Sequence, residues 1–168
     1  IIIRGNVTAG KSTTSHELAK VLPGWIFIDS WKIKEMFEPL NLKDRTVLKN
    51  SSKKAMFLIM KEVIRYLGIN IIIQESTQKS VRKYLKNDLK KYNYKLYSFF
   101  LDIDLKDAIK RDIQREKPTM GLGKSFKWEK VQPDKEDFVI HTGKHNINEV
   151  VNIILKQVKE KRKKHPKA

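Results

Sequence analysis

The chain of 168 residues has no cysteine. That absence excludes disulfides and thiolate metal sites, and a reducing cytoplasm is the expected setting. It also has no apolar run near the roughly 20 residues that a membrane-crossing helix needs. The opening Ile1-Ile2-Ile3 is too short for a span or a secretory leader and reads as a strand. There is no internal repeat and no low-complexity block. What is present, 40% hydrophobic and 33% charged residues, is the composition of one globular domain with a charged surface and enough length to bury a core.

Acidic residues are scarce beside basic ones: 19 Asp and Glu against 36 Lys and Arg, a formal net charge of +17. A field of one sign recruits phosphates from a distance, so a polyanionic partner is one reading. Lysine enrichment along the whole chain has a second source, base composition or thermal adaptation, and the charge alone does not decide.

Apolar runs alternate with helical patterns, which predicts parallel βαβ units. "IIIRG", "WIFIDS", "INIIIQES", "KLYSFFLDI" and "DFVIHT" read as five strands, the third the most central. Between them "KSTTSHELAKVL", with Leu18, Ala19 and Leu22 on one face, and "SKKAMFLIMKEVIRYLG", stopping at Gly68, read as helices. "SVRKYLKNDLKKY", "LKDAIKRDIQRE" and "INEVVNIILKQV" read likewise. Residues Lys117–Asp134, with Pro118, Gly121, Gly123 and Pro133, read as a mobile loop, and the closing "KEKRKKHPKA" as a solvated basic end or a phosphate contact. Sites in such sheets lie at the carboxyl ends of the strands, which singles out Gly5, Asp29, Glu75 and Asp102.

Gly5-Asn6-Val7-Thr8-Ala9-Gly10-Lys11-Ser12 matches G-x-x-x-x-G-K-[ST] in full, between a predicted strand and a predicted helix. A loop that wraps a phosphate with its backbone amides needs positive φ and open space, hence the bracketing glycines. The following helix points its positive end at the anion. Lys11 then reaches the β- and γ-phosphates, and the Ser12 hydroxyl ligates Mg²⁺.

With these residues in place the sequence resembles the small P-loop kinases, in the branch that holds polynucleotide kinase, the zeta toxins, chloramphenicol phosphotransferase and adenylylsulfate kinase. The resemblance implies a three-layer α/β sandwich with a five-stranded parallel sheet, a helical lid at about 111–131 and a basic tail at 156–168, in a single domain. It implies ATP and Mg²⁺ as cofactors. It assigns the acceptor hydroxyl or the magnesium to Asp29, and acidic, threonine and arginine roles to Glu75, Thr77 and Arg82. It makes Arg111 and Arg115 a pair that closes over ATP. The run Pro133–Thr142, P-D-x-x-D-hydrophobic-x-I-x-T, is familiar from the same branch.

The residues carry readings of their own. Asp29 ends a strand, where a carboxylate accepts a proton from an attacking hydroxyl or holds magnesium waters; it also suits the N-cap of the next helix, as does Ser30. Glu75 closes the run Ile71-Ile72-Ile73, where an uncompensated carboxylate is costly, so a Mg²⁺ shell or a hydrogen-bonded lid accounts for it. Arg111 and Arg115 share a helix face and suit developing phosphoryl charge, or else pair with Asp107, Asp112 or Glu116.

Trp31 and Lys34 stand where many relatives have a carboxylate and an arginine. Trp31 either stacks on an aromatic acceptor or packs in the core; Lys34 keeps a charge without the arginine fork. In the segment Leu40–Lys54, Lys43, Arg45, Lys49, Lys53 and Lys54 line a groove for a polynucleotide backbone or form a solvated face. His141 and His145 flank Gly143 without a third metal ligand, and His16 falls on the surface of the first helix.

The nucleotide-binding set is thus Gly5, Asn6, Val7, Thr8, Ala9, Gly10, Lys11, Ser12 and Thr13. The catalytic set is Lys11, Asp29, Arg111 and Arg115. Ser12, Asp29 and Glu75 are the expected metal ligands; Trp31 and Lys34, with Thr77 and Arg82 as the resemblance implies, are expected to contact the acceptor. The reading is an ATP- and Mg²⁺-dependent transfer of the γ-phosphate to a hydroxyl on a polynucleotide or RNA, with no membrane partner. Its rivals are a small-molecule kinase and an NTP-dependent nucleic-acid-binding protein without transfer. The oligomeric state is left open.

Overall fold

The computed structural model describes residues 1–37, 45–74, 78–114 and 131–164, with the side chains at 45, 78–80, 82–83 and 161–164 outside that description. Glu75, Thr77, Arg115 and the loop residues 117–130 therefore lie outside the described residues, as does the side chain of Arg82.

Five strands form one sheet: β1 (Ile2–Gly5), β2 (Ile26–Asp29), β3 (Ile71–Gln74), β4 (Ser98–Asp102) and β5 (Phe138–His141). All pairings are parallel, in the order β2-β3-β1-β4-β5. The centre of the sheet is β1, not β3 as the sequence suggested; β3 lies between β1 and β2. Inner parallel strands are covered on both faces and read as equally apolar, so hydrophobicity does not rank them.

The helices are α1 (Lys11–Val21), α2 (Ser30–Glu35), α3 (Arg45–Glu62), α4 (Gln78–Lys91), α5 (Leu105–Ile113) and α6 (Ile147–Lys164). Side chains of a strand alternate between faces. Ile1 and Ile3 pack with Leu18, Ala108, Val150 and Ile154 under α1, α5 and α6, whereas Ile2 packs with Ile33, Met56, Ile64 and Leu85 under α2, α3 and α4. Both layers are built of buried apolar side chains, which is where most of the fold's free energy resides, at about 25 cal/mol per Å² of apolar surface buried.

Two helix ends depart from expectation. The third helix runs into a π turn, Val63–Leu67, before it stops at Gly68, whose φ of 62° lets its N–H reach Val63 O. The basic end expected to be solvated and frayed from Lys159 is helical as far as Lys164. Val151, Ile154 and Val158 continue one buried stripe along α6 and hold its later turns on the sheet.

Candidate active site

The turn between β1 and α1 presses its first residue against β4. A Cβ on Gly5 would lie 2.1 Å from Leu101 O, and the residue has φ 140°, so no other residue fits there without moving the backbone. At the far end Gly10 (φ 89°) caps α1 with no side chain. Between them Thr8 holds the left-handed region at φ 62°, uncommon for a β-branched residue. Its hydroxyl donates to Ala108 O at 3.3 Å, tying the loop to α5. The first-turn amides of α1 have no intrahelical acceptor, and the helix dipole adds partial positive charge at that end. Val7, Ser12 and Thr13 are exposed, while Asn6, Thr8 and Ala9 are buried. The Lys11 ammonium donates to Gly5 O at 3.1 Å and Asn6 O at 2.7 Å, which holds it over the start of the loop. Residues 5–13 thus form a turn with positive φ at Gly5, Thr8 and Gly10, with the Lys11 ammonium across its start.

Asp29 ends β2 and caps α2. Its Oδ1 accepts the Trp31 N–H at 2.9 Å, and among the described residues its second oxygen makes no hydrogen bond. The cap is supplied by Asp29 rather than by Ser30, the first residue of α2. Trp31 is exposed (55%), not core. Its indole N–H donates to Glu35 Oε1 at 2.7 Å, and the Lys34 ammonium lies 4.5 Å from the ring centroid. An aromatic ring, a cation and a strand-end carboxylate thus share the edge of β2 (cation–π pairing orients the ring). Gln74, the β3 residue paired in register with Asp29, carries a buried side-chain oxygen with no hydrogen-bond partner among the described residues.

Arg111 faces the loop from α5. Its guanidinium donates to Thr142 O at 2.5 Å and Thr142 Oγ1 at 3.4 Å, and one nitrogen lies 4.0 Å from where a Cβ on Gly10 would be. Among the described residues these bonds go to Thr142 rather than to Asp107 or Asp112; Glu116 lies outside the described residues. Thr142 in turn donates to Asp102 O at 3.1 Å. His16 is exposed, as expected, and its ring meets Phe27 edge-on. His145 lies 3.6 Å from Glu149.

Two arrangements escaped the sequence reading. Asn6 sends its side-chain amide to Asp102 Oδ1 at 3.1 Å and accepts the Val131 N–H at 2.7 Å; Asp102 Oδ2 lies 3.3 Å from His141 Nδ1. Arg4, on the central strand with its side chain 4% exposed, meets Asp134 at 2.5 Å and Asp137 at 2.7 Å. Asp137 also accepts from Ser98 Oγ at 2.5 Å. The loop expected over residues 117–134 is therefore fixed at its end: Val131 is tied to the phosphate loop and Asp134 to β1. The signal for this was an arginine inside "IIIRG", since a buried charge needs a partner, and the P-D-x-x-D run supplies two.

The fold also holds a cavity of about 900 Å³, lined in part by Ile1, Trp25, Asn70, Leu96 and Tyr97. It sits at the amino ends of the strands, away from the phosphate loop.

A parallel sheet whose central strand turns through a glycine-bracketed loop into a helix is the arrangement of the P-loop fold. Within it the chain has the fold of the small P-loop kinases. No family model and no curated protein matches the sequence. A sugar kinase from a Janibacter species superposes with a TM-score of 0.64 at 19% identity, over 94% of this chain and 92% of that one. The tunicamycin resistance protein of Deinococcus radiodurans gives 0.62 at 17%, over 94% of each. The APS kinase of Mycobacterium tuberculosis, solved with AMPPNP and APS, gives 0.63 at 10%, over 94% and 96%. At such identities the likeness is one of fold. Among the described residues no helix is long and apolar enough to cross a membrane.

Proposed function

We propose that the protein is a kinase that transfers the γ-phosphate of ATP to a hydroxyl, and that the hydroxyl belongs to a polynucleotide. The observation that carries the first half is the loop: positive φ at Gly5, Thr8 and Gly10, an uncapped helix start behind it, and Lys11 across it. These residues fit a nucleotide's phosphates. The backbone amides of residues 8–13 cradle them, Lys11 neutralises them, and Arg111 approaches from α5. The Ser12 hydroxyl and Asp29 are suited to hold Mg²⁺, which would supply charge neutralisation between phosphate oxygens. The chain's own work is positioning and electrostatics, with Asp29 placed to take the acceptor proton. The adenylylsulfate kinase among the fold neighbours binds AMPPNP, in keeping with ATP as donor.

The polynucleotide half rests on the net charge of +17 and on the exposed Trp31 beside Lys34, a ring and a cation at the acceptor side. A small-molecule acceptor is the second reading, favoured by fold neighbours described as a sugar kinase and an APS kinase.

Radiolabelled ATP with Mg²⁺, offered RNA, DNA and metabolite hydroxyls, tests both. Label should appear on an oligonucleotide, and Lys11→Ala should abolish it with the circular dichroism spectrum unchanged. Turnover retained in Lys11→Ala overturns the loop's role; label on metabolites alone overturns the polynucleotide acceptor.

A further inference from the structure

The excess of positive charge is not spread evenly over the molecule. Helix α3, its π turn and α4 carry twelve Lys and Arg residues against two acidic ones, Glu62 and Asp88. Helices α1 and α5 carry five against three. The six basic residues of α6 all come at or after Lys156. Compositional enrichment in lysine predicts no such concentration, because it acts on every surface alike.

The two helices lie side by side on one face of the sheet. Phe57 of α3 stacks on Tyr84 of α4 with ring centroids 4.5 Å apart, and their apolar sides share one core. Asp88, the sole acidic residue of α4, is buried and bonded to Arg65 at 2.8 Å. It is thereby turned inward, and the outer surface of α4 keeps Lys86, Lys90 and Lys91, all exposed. Tyr66 (76% exposed), on the π turn, and Tyr84 (42%), on α4, add exposed aromatic rings to these elements. Like charges held this close repel one another and destabilise the free protein, while aromatic rings interleaved with cations match a chain of phosphates and bases. Both helices start at the carboxyl edge of the sheet, where the phosphate loop lies, and run away from it for about 20–27 Å at 1.5 Å per residue.

We infer that the α3–α4 face binds a single-stranded nucleic acid along its phosphodiester backbone, leading it to the edge of the sheet that holds the phosphate loop. This rests on the polynucleotide reading above and names the surface it uses. Recognition is of backbone charge with sequence-tolerant stacking, so affinity falls steeply with salt.

The test uses the whole chain and a fluorescein-labelled, mixed-sequence single-stranded RNA, with the matching DNA as a second probe, read by anisotropy across a salt series. The α4 triple variant Lys86→Glu/Lys90→Glu/Lys91→Glu is compared with Lys20→Glu/Lys156→Glu/Lys159→Glu on the opposite layer, which changes net charge equally. The α4 variant should lose affinity by about tenfold or more and show a shallower salt slope, the control by less than about threefold. MgATP binding should be equal in both, which reports the fold and the phosphate loop separately. If the glutamate triple does not fold, the Lys→Gln triple replaces it. Equal loss in the two variants, no loss in either, or binding to anionic lipid vesicles without binding to nucleic acid overturns the surface. Phosphorylation of an oligonucleotide with unchanged KM in the α4 variant overturns it too and leaves the kinase reading standing. Loss of RNA binding in a protein that labels only metabolites upholds the surface and removes the polynucleotide acceptor.

Discussion

The Arg111 guanidinium is held by the backbone and hydroxyl oxygens of Thr142, 2.5 and 3.4 Å away, on the opposite side of the phosphate loop from Asp29. Hydrogen bonds to a carbonyl orient the fork without neutralising its charge, so the cation stays available to an incoming anion. Arg111→Ala should lower kcat by about 10²–10³-fold, as loss of one charge-stabilising donor does, with little change in thermal midpoint. Arg111→Lys should recover part of it, since the charge stays and the fork is lost. Single-turnover kinetics on the two variants separate chemistry from binding.

Arg4 joins the central strand to the segment that precedes β5, through Asp134 and Asp137. Removing one partner of a buried pair leaves the others uncompensated. Arg4→Met should therefore cost about 3–5 kcal/mol in urea unfolding. Adding Asp134→Asn and Asp137→Asn should return more than half of that loss. A single substitution as harmless as the triple would mean that the cluster is solvated.

What the sequence disclosed and what it hid follow a physical line. The phosphate loop was legible because its constraints are local: Gly5 and Gly10 meet backbone demands within one turn, and Lys11 and Ser12 follow at fixed offsets. Strand and helix types were legible for the same reason. The sheet order was not, because β1 and β3 are both isoleucine runs covered on two sides. Nor were the partners of Arg4, Asn6 and Arg111, which lie 133, 125 and 31 residues away in sequence. The "P-D-x-x-D" run resembles one in the small P-loop kinases, and in the structure its two aspartates seat Arg4. Trp31 had two readings on equal terms, and only its packing separated them.

Gly5 and Thr8 lie in the same loop and make opposite demands. Gly5→Ala drives a Cβ to 2.1 Å from Leu101 O and keeps φ at 140°, so the loop must move. A loss of about 3 kcal/mol or more is expected, together with loss of nucleotide affinity. Thr8→Gly relieves about 1 kcal/mol of left-handed strain and forfeits a hydrogen bond to Ala108 O worth about as much. Its stability should stay close to that of the parent. Urea denaturation of both variants, with calorimetric titration of ATP, checks the pair; a stable, nucleotide-binding Gly5→Ala protein would contradict the close approach to β4.

Asp29 is asked to do two jobs, and one pair of variants separates them. As N-cap it accepts the Trp31 N–H at 2.9 Å through one oxygen. Asparagine caps as well as aspartate, whereas alanine loses about 1 kcal/mol. Asp29→Asn should therefore keep the parent's unfolding midpoint and Asp29→Ala should not. Both lack the carboxylate, and a general base or magnesium-shell group contributes about 10²–10⁴-fold to turnover. If the carboxylate serves chemistry, the two variants lose activity together while only one loses stability. If Asp29→Asn turns over at the parent rate, capping is the whole of its role, and the proton acceptor must be sought elsewhere along the carboxyl edge of the sheet.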